Sequence, residues 1–406
     1  RESKDVIMKI AMFTDAFFPR INGVYISVKS FAVELAKLGH EVCIVCPSYE
    51  GTKKSYEEKL DVENGKSVLV LRISSHRFIF SKEDRFTKIT QWSFLKKFLD
   101  EWKPDLVHIN SEFVVGRFGY YYSKSRNIPM VFTFHTYWET YIKNYVKMIP
   151  GFIARRFGRN VSIFFLKRAD CIIAPTQRFA DVVKKYGIQR ESYVLPTGIS
   201  LNPVSKEDDK TIEIISKIKK DFPACEGKKI LLYVGRIAIE KNLDFLLEVF
   251  DEIKKTNDDV CLIFVGGGPA LEHLKEVASK SPNANLIHFT GYFEREELPY
   301  VYKMADVFVF PSMTETQGLV TIEAMMQNIP VVAIGEMGTF DVMQGDNGGF
   351  MVKNDLRQFV NRVQLLLNDK EVWAQKSKEA GEWSKQWSIS VTAEKLAQIY
   401  ENTLKS

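Results

Sequence analysis

Short apolar runs alternate with stretches of helical spacing through the first half of the chain. The run Lys9–Phe13 predicts a strand that ends in the loop 14–23, and apolar residues between Val28 and Leu38 then recur at helical spacing up to Gly39. This alternation continues over the first 200 residues and is typical of a parallel sheet covered by helices on both faces. The predicted strands are 9–13, 42–46, 68–73, 106–109, 130–134, 171–174 and 192–195.

The alternation stops between residues 197 and 227, where no strong apolar strand occurs and 206–210 is a charged, loop-like stretch. A second α/β series follows, and its apolar runs predict a second Rossmann-like half. The last stretch, 391–404, has the spacing of a helix. We therefore expect an α/β fold with domains at 1–200 and 201–390 and a terminal helix within 391–406. The predicted strands of the second half are 230–234, 260–265, 286–289, 307–310 and 331–333.

Composition narrows the class of protein. Of the 406 residues, 45% are hydrophobic and 26% are charged, which excludes disordered and low-complexity chains. The five scattered cysteines argue for a reducing compartment and against a disulfide framework. Cys43 and Cys46 have redox-motif spacing, but on a strand they face opposite ways, which favours two core residues. No run approaches ~20 apolar residues and the chain starts with charged residues, so neither a membrane span nor a signal peptide is expected.

The loop after the first strand carries no dinucleotide fingerprint. Residues 14–23 hold no G-x-G-x-x-G pattern, and this disfavours an NAD enzyme. Gly23 lies just before a predicted helix, where backbone amides can face an anion. A glycine that merely completes a turn is the alternative interpretation.

Two cations follow the first strand of the second half. That strand ends at Gly235, and Arg236 and Lys241 come next, at the strand edge where α/β proteins bind ligands. Two cations at this edge suit a diphosphate, which gains charge during bond cleavage. The alternative is a solvated loop.

The stretch 310–325 combines carboxylates with a helix start. Glu315 lies in a loop, a helix begins near Gly318, and Glu323 lies on that helix, eight residues after Glu315. Amides of 317–320 then form a helix N-terminus that suits an anion, and the carboxylates suit sugar hydroxyls. Glu315 as a simple cap and Glu323 on a solvated face are the alternatives, although apolar neighbours of Glu323 argue against the second.

His135 closes a strand of the first half and is expected at the same kind of strand edge. A structural histidine is the alternative for this position.

Taken together, these residues resemble the family 4 retaining glycosyltransferases of the GT-B fold, over essentially the whole chain. The run Thr314–Val320 and the opening Phe13–Pro19 with Asn22–Val24 are most similar to the diacylglycerol glycosyltransferase branch. Many relatives have two glycines where this chain has Asn22 and Gly23. The remaining motifs that carry the resemblance are Gly235-Arg236, Glu240-Lys241-Asn242, Gly266-Gly267-Gly268-Pro269 and the pair Glu315 and Glu323.

The resemblance implies two Rossmann-like domains facing each other across a deep cleft, with the final helix crossing back to the first domain. It implies that Arg236 and Lys241 hold the diphosphate of a nucleotide sugar and that Glu323 binds the ribose. His135 would lie by the reacting sugar, and Arg236, Lys241 and the helix terminus would stabilise the leaving group without a metal. The other implied donor-binding residues are Gly23, Gly235, Tyr292, Phe293, Glu315, Gln317, Gly318, Leu319 and Val320.

The net charge of +5 conceals a strong separation. Residues 1–200 carry a charge of +12 and residues 201–406 carry −7. Basic residues and aromatic residues interleave most densely in 113–170, as expected of a protein that binds an anionic membrane surface. The alternatives are a basic solvated face over core aromatics and a nucleic-acid site, although no recognition motif supports nucleic acid. The predicted membrane-binding residues are Lys143, Lys147, Arg155, Arg156, Arg159, Lys167 and Arg168.

The sequence thus predicts a retaining, metal-independent hexosyltransferase. It would move glucose or galactose from a UDP-sugar to a membrane lipid, 1,2-diacylglycerol, as a peripheral protein at the cytoplasmic face of the plasma membrane, with no further cofactor. The same chemistry on a soluble or another lipid-linked acceptor, and a non-catalytic nucleotide-sugar or membrane-binding scaffold, stay open as alternatives.

Overall fold

A computed structural model gives the fold, and it describes residues 7–20, 22–49, 55–62, 65–78, 81–136, 138, 151–200, 202–315 and 317–405. The chain divides into two compact units. Unit 1 comprises Arg1–Gly198 and Ile389–Ser406, and unit 2 comprises Ile199–Ser388. Both junctions lie two residues before the predicted boundaries.

Unit 1 is built on an eight-stranded sheet in the order β10-β9-β8-β7-β1-β2-β4-β3. Only β3 runs antiparallel to its neighbour within this sheet, and β5 and β6 form a separate antiparallel pair. The strands are β1 Lys9–Phe13, β2 Glu41–Pro47, β3 Tyr56–Asp61, β4 Ser67–Ile73, β5 Ser75–Phe78, β6 Ser81–Thr87, β7 Leu106–Ile109, β8 Met130–Thr133, β9 Cys171–Ala174 and β10 Glu191–Val194. The helices are α1 Gly23–Lys37, α2 Trp92–Trp102, α3 Val114–Arg126, α4 Gly151–Leu166 and α5 Gln177–Lys185.

The expectation of an all-parallel first sheet is therefore wrong at one edge. The sequence of β3, with alternating half-buried and exposed residues, has little apolar signal, because an edge strand is only partly covered. The seven strands predicted from apolar runs are all present within one or two residues.

Unit 2 has a six-stranded, fully parallel sheet in the order β13-β12-β11-β14-β15-β16. Its first helix, α6 (Asp209–Asp221), lies between residues 197 and 227, where the sequence predicts no element, and it begins within the stretch 206–210 that was expected to be loop-like. The sequence does not reveal this helix, because charged residues surround its buried residues Ile214 and Ile218. The strands are β11 Lys229–Val234, β12 Val260–Val265, β13 Ile287–Gly291, β14 Val307–Phe310, β15 Val331–Ile334 and β16 Gly349–Val352. The helices are α6 Asp209–Asp221, α7 Leu243–Lys254, α8 Leu271–Ser279, α9 Leu298–Lys303, α10 Leu319–Met326, α11 Met337–Met343, α12 Leu356–Asn368 and α13 Lys370–Ser384.

The last helix, α14 (Ile389–Lys405), belongs to unit 1 and packs beside α1 on one face of the sheet. The hydroxyl of Tyr400 on α14 lies 2.6 Å from Nδ1 of the buried His108 on β7, whose Nε2 lies 2.7 Å from the Thr133 hydroxyl. Burial is the main cause that lowers the pKa of His108 to about 3, so this imidazole is neutral. A neutral imidazole thus joins the terminal helix to two neighbouring strands of the sheet.

Strand alternation sorts the apolar side chains of unit 1 onto two faces. Ile10 and Met12 of β1 pack with α1 and α14, whereas Ala11 and Phe13 pack with α2, α3 and part of α4. The strands β1, β7 and β8 are neighbours and run parallel, so their carboxyl ends lie at the same edge of the sheet. The polar residues that follow these strands therefore meet at that edge.

Candidate active site

In unit 2, the loop after β11 lies against the glycine turn after β12. Gly266 has a φ of 126°, and a Cβ added there would lie 2.1 Å from the carbonyl oxygen of Gly235. Only glycine allows the two backbones to approach this closely. The approach fixes the path of the chain on which Arg236 and Lys241 follow the strand.

Lys241 and Glu315 form the central ion pair of this unit. Nζ of Lys241 lies 2.8 Å from Oε2 of Glu315, and both side chains are largely buried. The hydroxyl of Thr314 donates to the carbonyl of Glu240 at 3.2 Å, which joins the same two loops a second time. The structure thus brings together two residues that lie 74 positions apart and were predicted separately.

Arg236 lies at the surface of the same loop. Its guanidinium is 3.6 Å from Glu240, and 64% of its side chain is exposed. An exposed pair of this kind contributes little to stability, so Arg236 can turn to an incoming anion at low cost.

The loop that holds Glu315 leads into α10 through Gly318. Gly318 has a φ of 65°, and a Cβ there would lie 2.9 Å from the carbonyl oxygen of Gly338. The backbone N–H of Gly338 in turn donates to the carbonyl of Glu315 at 2.7 Å. Leu319 and Val320 open α10, whose first amides have no intrahelical partner and favour an anion. Thr316, from the quoted motif, lies outside the described residues.

Gln317 and Glu323 have buried polar atoms beside this helix start. Within the described part of the chain, Oε1 of Gln317 is buried without a hydrogen-bond partner. Glu323 is 2% exposed, and its carboxylate contacts Arg295 and Tyr302. Neither contact was foreseen from the sequence.

The two aromatic residues after β13 differ in exposure. Tyr292 is 77% exposed. Its ring packs against the glycine turn, since a Cβ added to Gly267 would lie only 2.7 Å from Cε2 of Tyr292. Phe293 packs partly against the core of unit 2. Tyr292 alone of the pair therefore offers an open ring beside the glycine turn.

In unit 1, Gly23 is the first residue of α1, and the Asn22 side chain caps this helix by accepting from Tyr25 N at 2.9 Å. A Cβ added to Gly23 would meet no described atom within 4 Å. The protein's own packing therefore gives no reason for glycine at this position.

His135 follows β8, and its Nε2 lies 3.1 Å from Oδ1 of Asn110, the residue after β7. Burial lowers the pKa of His135 to about 4, so the ring is neutral at physiological pH. Because Asn110 Oδ1 only accepts, the neutral ring carries its proton on Nε2 and leaves Nδ1 as an acceptor.

Sequence reasoning missed the acidic residues at the same edge of this sheet. Asp15 follows β1 and accepts from Ser111 Oγ at 2.7 Å and from the backbone N–H of Val115 at 3.0 Å, at the start of α3. Glu112 follows β7 and is buried, and among the described residues its Oε1 has no hydrogen-bond partner. The available signal was position, because both residues lie in the loops that follow β1 and β7, two strands that end at the edge where His135 lies.

Glu112 predicts an unusual dependence of stability on pH. Burial is the main cause that raises its pKa from 4.5 to about 8, with a smaller contribution from Asp15. Between these two values the folded chain holds a proton that the unfolded chain releases, so the free energy of unfolding falls as pH rises from about 4.5 to 8. Glu112→Gln is expected to remove this pH dependence. At pH 8 its free energy of unfolding should exceed that of the parent by on the order of 2 kcal/mol.

Urea unfolding at several pH values between 5 and 8.5 measures this difference. Glu101→Gln, at an exposed position on α2, is the matched control and should follow the parent. Equal pH dependence in Glu112→Gln and the parent would show that Glu112 is ionised in the folded protein.

The predicted membrane-binding residues that the structure describes lie on α4 and just after it. Arg155, Arg156 and Arg159 are exposed, as are Lys167 and Arg168. The same helix exposes three apolar side chains, with fractions of 70% for Phe152, 46% for Ile153 and 59% for Phe157. Lys143 and Lys147 lie outside the described residues.

Not every cation of this face is free for a partner. The guanidinium of Arg168 stacks 4.2 Å from the Phe164 ring centroid, and that of Arg159 lies 4.9 Å from the ring of Tyr186. Among the helices of the described ranges, none is long and apolar enough to cross a bilayer. In the same ranges, no group of three or more His, Cys, Asp or Glu side chains is placed to hold a metal ion.

Comparison with solved structures identifies the fold. A glycosyltransferase from Rickettsia africae superposes with a TM-score of 0.72 at 17% identity, covering 98% of this chain and 99% of that one. The Anabaena protein HepE, solved in complex with UDP, superposes with a TM-score of 0.71 at 16% identity, covering 97% and 100%. These likenesses show the GT-B fold with two Rossmann-like units, which confirms the predicted fold class.

Comparison of sequences gives the family. The model described as Glycosyltransferase Family 4 matches residues 21–202, and the one described as Glycosyl transferases group 1 matches 214–387. The alpha-monoglucosyldiacylglycerol synthase of Streptococcus pneumoniae is 32% identical over 81% of this chain and 71% of its own length. The enzyme of the same name from Acholeplasma laidlawii is 28% identical over 97% of this chain and 96% of its own length. The chain belongs to glycosyltransferase family 4 and is similar to its diacylglycerol glycosyltransferase branch, as predicted.

Proposed function

We propose that this glycosyltransferase moves a hexose from a UDP-sugar to a membrane lipid, 1,2-diacylglycerol, and that it retains the anomeric configuration to give an α-linked glycolipid. The observation that carries the proposal is the Lys241–Glu315 pair at the start of α10, with Glu323 buried on that helix. This arrangement offers cations and amides for a diphosphate and carboxylates for sugar hydroxyls.

The donor half of the reaction follows from these side chains. Lys241, Arg236 and the amides of 317–320 bind the diphosphate, and they stabilise it most as the sugar leaves and negative charge grows on it. Glu315, held by Lys241, orients the donor sugar. Tyr292 borders the nucleotide base, and Phe293 lies behind Tyr292. Gly235 allows the loop that carries Arg236 and Lys241 to lie close to the glycine turn after β12. No metal is needed, because the leaving charge is met by protein groups.

In unit 1 we propose that His135 lies by the reacting sugar. Nδ1 of its neutral ring can accept a hydrogen bond from a sugar hydroxyl without adding charge to the site. Gly23, where the protein leaves open space beside the α1 terminus, is the residue proposed to face the diphosphate.

The acceptor is inferred from two independent facts. The two synthases named above make, by name, alpha-monoglucosyldiacylglycerol, and the first of them is 32% identical to this chain. The exposed aromatic and basic residues of α4 suit an anionic bilayer surface, where a diacylglycerol lies. We therefore place the protein peripherally at the cytoplasmic face of the plasma membrane.

A panel of UDP- and GDP-sugars with diacylglycerol in vesicles tests the proposal, with products identified by mass and linkage and with EDTA in a parallel series. The expected product is an α-hexosyldiacylglycerol that forms from a UDP-sugar at the same rate with EDTA. Transfer only to a water-soluble acceptor, use of GDP-sugars alone, or a β-linked product would each refute it.

Glu323→Ala locates the site in the same assay. The loss of a buried carboxylate that binds the donor is expected to lower kcat/KM for the UDP-sugar about 30-fold, as expected for charged hydrogen bonds. Glu382→Ala removes an exposed carboxylate from α13 and serves as the matched control. Parental kcat/KM in Glu323→Ala would contradict the assigned donor site.

A further inference from the structure

The carboxylate of Glu323 is held from two sides by partners of different character. Oε1 lies 2.6 Å from Nη1 of Arg295, and Oε2 accepts from the Tyr302 hydroxyl at 2.7 Å. Tyr302 is fully buried, and burial, together with the charge of Glu323, raises the pKa of its hydroxyl, which therefore keeps its proton and donates. Arg295 is by contrast 47% exposed in its side chain.

This arrangement is costly as a purely structural device. A carboxylate loses solvation when its side chain is only 3% exposed, and a partly exposed guanidinium repays that loss poorly. A Glu at this place on α10 would be a poor means of stabilising unit 2. The hydrogen bonds that this carboxylate can still accept point instead to a ligand.

Each carboxylate oxygen has two lone-pair directions, so two acceptor sites remain after the bonds to Arg295 and Tyr302. Because one partner holds each oxygen, the plane of the carboxylate is fixed, and the two free sites point in set directions. Two hydroxyls on adjacent carbons are the ligand that such a pair of acceptors fits.

Arg295 connects this buried carboxylate with the surface. It follows β13 on the loop that also exposes the ring of Tyr292 beside Gly267. The guanidinium spans from that loop to α10, 28 residues later in the chain, and its remaining N–H groups stay accessible.

We propose that Arg295 is a positioning residue for donor recognition: by holding Oε1 of Glu323 it turns the carboxylate so that its two free acceptor sites take the ribose 2′- and 3′-hydroxyls. The inference rests on the proposed function, since it takes a UDP-sugar as donor. Arg295 acts through Glu323, and the acceptor lipid is not affected by it.

Calorimetric titration with UDP and with 2′-deoxy-UDP tests this proposal. The parent is expected to bind UDP about 30-fold more tightly than the deoxy analogue, the typical value of a hydrogen bond to a charged group. In Arg295→Gln this ratio is expected to fall below about 3-fold, because the carboxylate is no longer oriented. Arg295→Lys should give an intermediate ratio, since an ammonium keeps the charge but not the fixed fork.

Kinetics add a readout that a structural role would not move. For Arg295→Gln, KM for the UDP-sugar should rise about 10-fold while kcat and the KM for diacylglycerol stay near parental values. Lys385→Gln, which opens an exposed ion pair with Glu382, is the matched control. Tyr302→Phe frees the second oxygen and should lower the ratio as well, which keeps the test decisive if Arg295→Gln folds poorly.

Two results would overturn the inference in distinguishable ways. An unchanged ratio in both Arg295→Gln and Arg295→Lys, with UDP binding intact in the parent, refutes the role of Arg295 alone. A parent that does not bind UDP refutes the proposed donor, and this inference falls with it.

Discussion

Lys241→Met is expected to lower kcat about 10³-fold, a loss of roughly 4 kcal/mol of transition-state stabilisation. Two effects add. The substitution removes a cation from the departing diphosphate, and it also leaves the largely buried Glu315 carboxylate without its partner 2.8 Å away. An unpaired carboxylate beside a developing anion raises the barrier further.

Lys376→Met is a closely matched control for this result. Lys376 lies 2.7 Å from Glu379 with 13% of its side chain exposed, so the pair resembles Lys241–Glu315 in geometry and burial but lies on α13. The double variant Lys241→Met/Glu315→Gln removes both charges and should recover stability without recovering kcat. If Lys241→Met turned over within 10-fold of the parent, the assignment of the diphosphate site would be wrong.

The donor loops were accessible to sequence reasoning for a physical reason. Apolar runs end where strands end, so Gly235 and Phe310 mark the carboxyl edge, and the polar residues that follow each of them are brought to one edge. Parallel pairing of β11 with β14 then places Lys241 beside Glu315. That these two side chains would contact each other depends on the loops, and the sequence gives no rule for it.

The sequence does not predict that Arg295 and Tyr302 contact Glu323. Apolar neighbours along α10 indicate that this side chain is buried, but they do not show which donors surround it. Arg295 lies among Glu294, Glu296 and Glu297, a charged stretch with the pattern of any solvated loop. Only the packing of α9 and α10 shows that one guanidinium turns inward.

Glu112 illustrates the same limit in unit 1. A single acid after a strand has the sequence pattern of a surface loop, whereas the structure buries this side chain close enough to Asp15 for the two carboxyl groups to interact. The antiparallel edge strand β3 was not predicted for the opposite reason: half of its residues face solvent, so the sequence shows no apolar run there.

Loss of the apolar face of α4 is expected to release the protein from anionic vesicles. Phe152→Ser/Phe157→Ser removes two side chains that are 70% and 59% exposed. Each phenyl ring contributes roughly 2 kcal/mol when it enters the interface, so partitioning onto phosphatidylglycerol vesicles should fall by on the order of 10²- to 10³-fold. Co-sedimentation with vesicles measures this directly.

The charged face of the same helix makes a separate contribution that salt reveals. Arg155→Glu/Arg156→Glu/Arg159→Glu should abolish binding to anionic vesicles and remove its salt dependence, because each basic residue near such a surface contributes about 1 kcal/mol.

Helix α6 supplies matched controls on unit 2: Ile212→Ser for the apolar change and Lys217→Glu/Lys219→Glu/Lys220→Glu for the charge reversal, all at exposed positions. Both α4 variants should keep the parental affinity for UDP, since neither carries a substitution at a residue proposed to bind the donor. Parental sedimentation of both α4 variants would mean that another face of the protein meets the membrane, whereas loss of sedimentation in the α6 variants alone would move the membrane contact to unit 2.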